Sequence, residues 1–369
     1  MKKLMSLLAL LFAFTLVAAA CGAGAVDEDA GDTGDDSGEE VEGSEDEADD
    51  ADSDDGADDD GGDSDDAEAE GDDDGDVDLT QSSDLTFHMI THSDDGPFWS
   101  VVQRGQEAAC EDLGVNCVWL PGVNDANQMV QDIEGALGDG SDGIAASLPD
   151  PAALVPALQA AVEGGTPVVT LNSGANDYQE IGALTHVGQT EFIAGQAAGE
   201  RFNDAGATHV LCGQQEQNNV GLTERCDGLA DTFSGDVTTD FMDLDADTTA
   251  QQAAINAAMA SDESIDAFLG VGPVITMSGL RASQDLGRDI TIGGFDLTPE
   301  LLGAIGDGDI LFTVDQQQYL QGYLPILQLF LFQTNSNTIG GGQPILTGPG
   351  FVTADNAEAV LSLSEAGTR

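Results

Sequence analysis

From about residue 84 onward, two hydrophobic patterns alternate along the chain. Short, nearly continuous apolar runs read as strands: "LTFHMITH", "VNCVWLPG", "GIAASLP", "TPVVTLNSG", "ALTHVGQ", "THVLCGQ", "TDFMDL", "DAFLGVG", "ITIGGFD" and "ILFTVDQ". Between most of them lie 10–18 residues with apolar positions at helical spacing, such as "FWSVVQRGQEAACEDLG" and "PAALVPALQAAVEGG". Alternating strand and helix predicts βαβ units and parallel sheets with helices on both faces. Continuous rather than alternating apolar strands fit that two-sided burial. Ten strands are too many for one comfortable open sheet, so the expectation is an α/β fold in two lobes. The run "YLQGYLPILQLFLFQ" is apolar but short, with glutamines and a proline. It reads as a buried amphipathic helix, since a membrane span needs about 20 apolar residues.

Upstream of residue 84 the pattern disappears. Residues 21–83 are mostly Asp, Glu, Gly, Ala and Ser, with almost nothing to bury. This predicts an acidic disordered tether, extended by its own charge. Residues 1–20 carry Lys2 and Lys3, an apolar run, then Ala18-Ala19-Ala20 directly before Cys21. That is the layout of a secretory signal, and the cysteine after it resembles a bacterial lipoprotein signal. Cys21 would be lipidated and anchor the chain to the outer face of the cell membrane; the alternative is an ordinary cleaved signal. Export places the chain in an oxidising compartment. Four cysteines remain, and three pairings of them are formally possible. Proximity favours Cys110–Cys117 and Cys212–Cys226, with buried free thiols as the alternative. A disulfide closing about 15 residues contributes about 3 kcal/mol.

Charge narrows the function. Of the 70 acidic residues, 30 lie within residues 27–78; the other 40 share the rest of the chain with six arginines and no lysine after Lys3. Such a surface repels nucleic acid and anionic membranes. It reads as a solubility device, in keeping with a saline medium, more than as a determinant of ligand choice. Without lysine there is no G-x-x-x-x-G-K-[ST] phosphate loop and no Schiff-base chemistry. Gly138-Asp-Gly-Ser-Asp-Gly143 matches G-x-G-x-x-G in letters only, because it follows a helix and precedes a strand. Asp243-x-Asp245-x-Asp247 opens like a calcium loop, but positions six and twelve are Thr248 and Ala254. The four histidines show no metal-ligand spacing. No motif argues for catalysis, and no cofactor or metal is expected.

In doubly wound sheets, ligands sit beyond the carboxyl ends of the strands. The residues there are mostly short amides, carboxylates and hydroxyls: "HSDDGPFW" after the first strand, Ser147-Leu-Pro-Asp150, Asn172-Ser173, "GQQEQNNVGLTERCDG", Pro273, Asp296 and Asp315-Gln316-Gln317. Arg225 is the one arginine among them. Such a set suits a neutral, hydroxyl-rich ligand better than a phosphate or polycarboxylate. Phe98 and Trp99 offer flat apolar surface for a sugar ring, or alternatively pack in the core at a helix start.

Gly96-Pro-Phe98-Trp99, "TPVVTLNS" (166–173), "HVGQTEFIAGQAAGE" (186–200), "ERCDGL" (224–229), "IGGFDLTPE" (292–300) and "FTVDQQQYLQGY" (312–323) resemble, in this order, the type I periplasmic sugar-binding lipoproteins of ABC importers, the ribose-binding-like family. The resemblance covers roughly residues 84–369. It implies two Rossmann-like lobes with parallel sheets, joined by a three-stranded hinge near residues 187–190, 314–317 and 340–344. The N-lobe would take about 84–188 and 317–341, and the C-lobe about 189–316 and 342–369. A monomer would close by hinge motion over one ligand and dock on a membrane permease. Carried over by position, Phe98 and Trp99 would sandwich the sugar, with Asp95 at the rim. Ser147, Asn172 and Ser173 would supply N-lobe contacts. Asn219, Thr223, Gly272, Asp296 and Gln316 would supply C-lobe and hinge contacts. Arg225 matches a commonly present arginine that braces the fold. Cys212 and Cys226 recur in a subset of such proteins, which supports their pairing. This chain has Asn172-Ser173 where ribose binders have Asp-Arg, Thr223 where they have arginine, and Gly272 where they have asparagine. Those departures argue against ribose and leave a neutral sugar or polyol. An amino acid, nucleoside, autoinducer-like or cationic cargo on the same fold stays open, as does a sensor for a signalling receptor.

Overall fold

The computed structural model of this chain describes residues 84–93, 96–242 and 248–369. Cys21, Asp95 and the Asp243-x-Asp245-x-Asp247 stretch lie outside the described residues. Twelve strands among the described residues form two six-stranded sheets. The first runs, in spatial order, β2 (Asn116–Pro121), β1 (Thr86–Thr91), β3 (Gly143–Ser147), β4 (Val168–Leu171), β5 (His186–Gln189) and β11 (Ile345–Gly348). The second repeats the order with β7 (Asp236–Phe241), β6 (His209–Gln214), β8 (Ala267–Gly270), β9 (Thr291–Phe295), β10 (Phe312–Asp315) and β12 (Gly350–Val352). All pairs are parallel except β12, which runs antiparallel to β10.

The ten strands expected from the pattern are all present. β11 and β12 are additional; at four and three residues, and largely half-buried, they carry no strand pattern of their own. They also move the last crossover. Ile345 pairs with Val187 of β5, so the chain stays with the first sheet until Gly348 and joins the second at Gly350. This is later than the 340–344 expected from sequence. The other two crossovers fall between β5 and α5 (Glu191–Ala205), and between β10 and α10 (Gln318–Asn335).

Each sheet is covered on both faces, which is why its strands are apolar throughout. On β1, Phe87 and Met89 face a cluster with Trp99, Ile326 and Leu329, while Ile90 faces Met129 and Ile133. On β6, Val210 and Cys212 face Phe202 and Leu229, while Leu211 faces Ile255 and Phe268. The lobes exchange helices: α5 leaves the first sheet to lie along α6 (Val220–Thr232), and α10 leaves the second to lie along α1 (Gly96–Leu113). α10 is the buried helix read from "YLQGYLPILQLFLFQ", and among the described residues no helix is long and apolar enough to cross a membrane. Cys110–Cys117 ties α1 to β2, and Cys212–Cys226 ties β6 to α6. The Gly138–Gly143 stretch is the turn from α2 (Ala126–Gly138) into β3.

Both helix exchanges depend on backbone-to-backbone approach. A β-carbon at Gly322 of α10 would overlap the Val102 carbonyl oxygen of α1, and one at Gly228 of α6 would overlap that of Phe192 in α5. Neither helix can retreat without opening a core. Gly322→Ala should therefore cost about 1–3 kcal/mol, the range for overpacking a well-packed contact. Chemical denaturation measures it; wild-type stability in the variant would mean that α1 and α10 do not approach this closely.

Candidate functional site

The C-terminal ends of both sheets point at one another, and a cavity of about 360 Å³ lies between the lobes, within the size class of small-molecule sites. Every segment lining it follows a strand. His92, Phe98 and Trp99 follow β1, and Asn172 follows β4. Gln215, Glu216, Asn219 and Arg225 follow β6; Gly272 follows β8, Asp296 β9 and Gln316 β10. Asn172 and Asp296 are each the first residue past their strand and have left-handed backbones (φ 60° and 66°). Asn and Asp tolerate that conformation better than other non-glycine residues.

Charge is concentrated in the second lobe. Arg225, 3% exposed, pairs bidentately with Glu191 (Nε–Oε2 2.6 Å, Nη2–Oε1 3.1 Å) and donates from Nη1 to the Val271 carbonyl at 2.7 Å. Its Nη1 lies 3.9 Å from Asp296 Oδ2. Burial alone would lower the guanidinium's pKa, but the Glu191 and Asp296 carboxylates outweigh it and raise it. Asp296 Oδ1 accepts from Gln316 Nε2 at 2.7 Å. Burial pushes the Asp296 carboxyl up to about 6, against the pull of Arg225 and the Gln316 hydrogen bond. The polar chain continues into the first lobe. Gln321 Nε2 donates to Gln316 Oε1 at 2.8 Å, and Asn172 Nδ2 to Gln321 Oε1 at 3.2 Å.

The two lobes touch around the cavity. Ser173 Oγ donates to Asn219 Oδ1 (3.2 Å), Val220 N to Pro149 O (3.0 Å), and Asn176 Nδ2 to Glu224 Oε1 (2.6 Å). His92 Nε2 lies 3.6 Å from Glu216 Oε2. Burial lowers the His92 pKa, with Glu216 opposing and Arg225 assisting, so the imidazole is neutral at pH 7. A smaller cavity of about 210 Å³ shares His92, Gln215, Glu216 and Asn219 with the larger one, and adds Met129, Asp150 and Phe241.

Of the residues picked out in the sequence, Phe98, Trp99, Asn172, Asn219, Gly272, Asp296 and Gln316 line the larger cavity. Three do not. Ser147 is fully buried beneath it, with its Oγ bonded to the His92 backbone N–H (3.0 Å) and 2.9 Å from Nδ1. Ser173 is spent on the Asn219 bond. Thr223 is exposed on α6, and its Oγ1 accepts from Gln214 Nε2 at 3.0 Å. The sandwich arrangement also differs. Phe98 and Trp99 meet edge to face with centroids 5.0 Å apart, so no ring-sized gap lies between them. Trp99 is 5% exposed and belongs to the first lobe's core; it backs the cavity while holding α1 to the sheet. Arg225 both braces the lobe and lines the cavity. His92, Gln215 and Glu216 were legible only as members of strand-end segments. Among the described residues, no group of three His, Cys, Asp or Glu side chains stands together for a metal.

The Asp296 carboxyl has a consequence for stability. Its pKa is higher folded than unfolded, so the folded state disfavours the ionised form. The resulting penalty is absent below about pH 4, grows as pH rises towards about 6, and is complete above that. Asp296→Asn removes it. Thermal melts should show the variant more stable than wild type at pH 8, with the difference shrinking towards zero at pH 4. A pH-independent difference would mean that Asp296 ionises normally.

Comparison with known proteins places this architecture. Residues 87–332 match the periplasmic binding protein domain model. The xylose/arabinose-binding protein XylF of Sulfolobus acidocaldarius is 30% identical over 75% of this chain and 73% of its own length. The ribose import binding protein RbsB of Bacillus subtilis is 24% identical over 65% of this chain and 79% of its own. The crystal structure of a carbohydrate transporter from Acidothermus cellulolyticus, in complex with myo-inositol, superposes with a TM-score of 0.75 at 38% identity, covering 78% of this chain and 100% of that one. With two parallel sheets in two lobes and a polar cleft at their facing strand ends, this chain belongs to the periplasmic binding protein family, in its type I architecture.

Proposed function

We propose that this protein is the solute-binding component of an ABC importer, capturing one neutral polyol or sugar between its lobes and presenting it to a membrane permease. The observation that carries this reading is the interlobe cavity, walled from both lobes by amides, two carboxylates and a guanidinium with aromatic rings at one side. Amides both donate and accept, Asp296 accepts, and Arg225 keeps N–H groups beyond the three already bonded. Together they match the mixed donor and acceptor hydroxyls of a polyol. The Arg225 charge is already met by Glu191 and Asp296, so no uncompensated cation is left to select a phosphate or carboxylate. Apolar ring surface at Phe98 and Trp99 complements the C–H face of a sugar or cyclitol. The Acidothermus carbohydrate transporter bound to myo-inositol, and the pentose-binding relative, support this ligand class.

Calorimetry with myo-inositol, D-xylose, L-arabinose and D-ribose, beside an amino acid and a diamine, tests the assignment. Saturable one-to-one binding of at least one polyol, with no turnover, is expected. Silence from all four polyols would sink the reading, and a response to the diamine alone would redirect it to a cationic cargo.

The same reading makes the protein an exported one, held at the membrane through lipidated Cys21. Ala18-Ala19-Ala20-Cys21 supports this, as does the acidic stretch beyond it. Cys21→Ser should release the protein from the membrane fraction of cells into the soluble exported fraction. Unchanged membrane association in that variant would remove the anchor from the proposal.

A further inference from the structure

Gln215 stands where two strand ends meet. β6 and β8 run side by side with Gly213 opposite Gly270, which carries Gln215 alongside Gly272. The Gln215 side chain lies over that glycine: a β-carbon at 272 would sit 2.6 Å from Gln215 Nε2. Gly272 itself is extended (φ −168°, ψ 168°), a backbone open to any residue, so glycine here answers to space. Gln215 is 9% exposed and borders both cavities. Its Oε1 is buried, and among the described residues no donor reaches it. An amide oxygen withdrawn from water without a partner costs about 1–3 kcal/mol, and folded proteins rarely leave one so without a functional reason.

We propose that Gln215 is a specificity residue of the cleft. Its Oε1 accepts a hydrogen bond from one hydroxyl of the bound polyol, and Gly272 lacks a side chain so that the amide can sit there. This rests on the polyol reading above. An amide suits the place better than a carboxylate would. Glu216 and Asp296 already border the larger cavity, and a third negative charge would repel both. Gln215 lines both cavities, and the hydroxyl it reads is borne by one carbon of the polyol. Polyols differing only at that carbon are told apart there.

The test uses the tightest-binding of the four polyols above and its monodeoxy analogues. These are titrated into the wild type, Gln215→Ala, Gly272→Ala and the double variant. A site built around a hydroxyl rejects the analogue lacking it. The wild type should therefore bind one analogue about tenfold or more weaker than its parent, the effect of one well-placed hydrogen bond. Gln215→Ala should lose about the same factor for the parent and cease to distinguish that analogue. The methyl of Gly272→Ala pushes the flexible amide aside, so this variant should behave alike, and adding it to Gln215→Ala should cost nothing further. Wild-type affinity in Gln215→Ala would overturn the inference. So would an equal loss for the parent and every analogue, which is the signature of a merely structural role. If the wild type binds none of the polyols, the functional reading has failed and takes this inference with it; the wild-type titration alone distinguishes that case.

Discussion

A guanidinium buried among its partners holds the ligand-facing end of the second lobe together. Arg225 reaches Glu191 on the neighbouring helix and the carbonyl of Val271 at the end of β8, stands against Asp296 at the end of β9, and lies with its Cζ 4.5 Å from the Phe295 ring centroid. Burying such a charge is expensive, and only complete pairing offsets the cost. Once made, the arrangement couples four separate segments. Losing Glu191 would strand a buried cation, a change worth about 3–5 kcal/mol. The close glycine contact between α5 and α6 is what brings Glu191 within reach of Arg225.

From Arg225 the order passes outward through neutral groups. Asp296 takes Gln316, Gln316 takes Gln321, and Gln321 takes Asn172 on the other lobe. This polar chain runs alongside one of the three crossovers, so the cleft floor and the hinge share atoms. Side chains of both halves therefore meet in one hydrogen-bonded path across the cleft floor. The left-handed backbones at Asn172, Asp296 and Gln317 lie on this same path. Sparsely populated backbone of this kind concentrates where position matters more than local stability. The raised Asp296 pKa has the same character: a carboxylate held in a buried place costs stability and keeps an acceptor facing the cleft.

The two lobes solve one packing problem twice. Each sheet has the same strand order, and each receives a helix that follows a strand of the other. In both, glycines let the guest helix press against its host. Trp99 fits this scheme. Its ring fills the junction of α1 with the first sheet and also backs the cavity, so the core and ligand readings of that side chain are both parts of its position.

Read alone, the sequence determined the strand and helix order, the two lobes and the segments that face the cleft. Those follow from local periodicity and from where polar residues interrupt apolar strands, and both are short-range properties. β11 and β12 escaped because three or four half-buried residues carry no periodicity; only pairing with β5 and β10 makes them strands, and that pairing sets the last crossover. Individual cleft residues were legible to the extent that position after a strand decides exposure, as at Asn172 and Asp296. Ser147 at the end of β3, Ser173 past β4 and Thr223 on α6 belong to the same strand-end segments yet turn to His92, Asn219 and Gln214 instead. Gln215 was hidden among similar polar neighbours. Its place depends on the empty space above Gly272, some 57 residues away in sequence. Which polar atom is satisfied by the protein and which is left for a ligand is decided by such long-range contacts, and only the tertiary structure contains them.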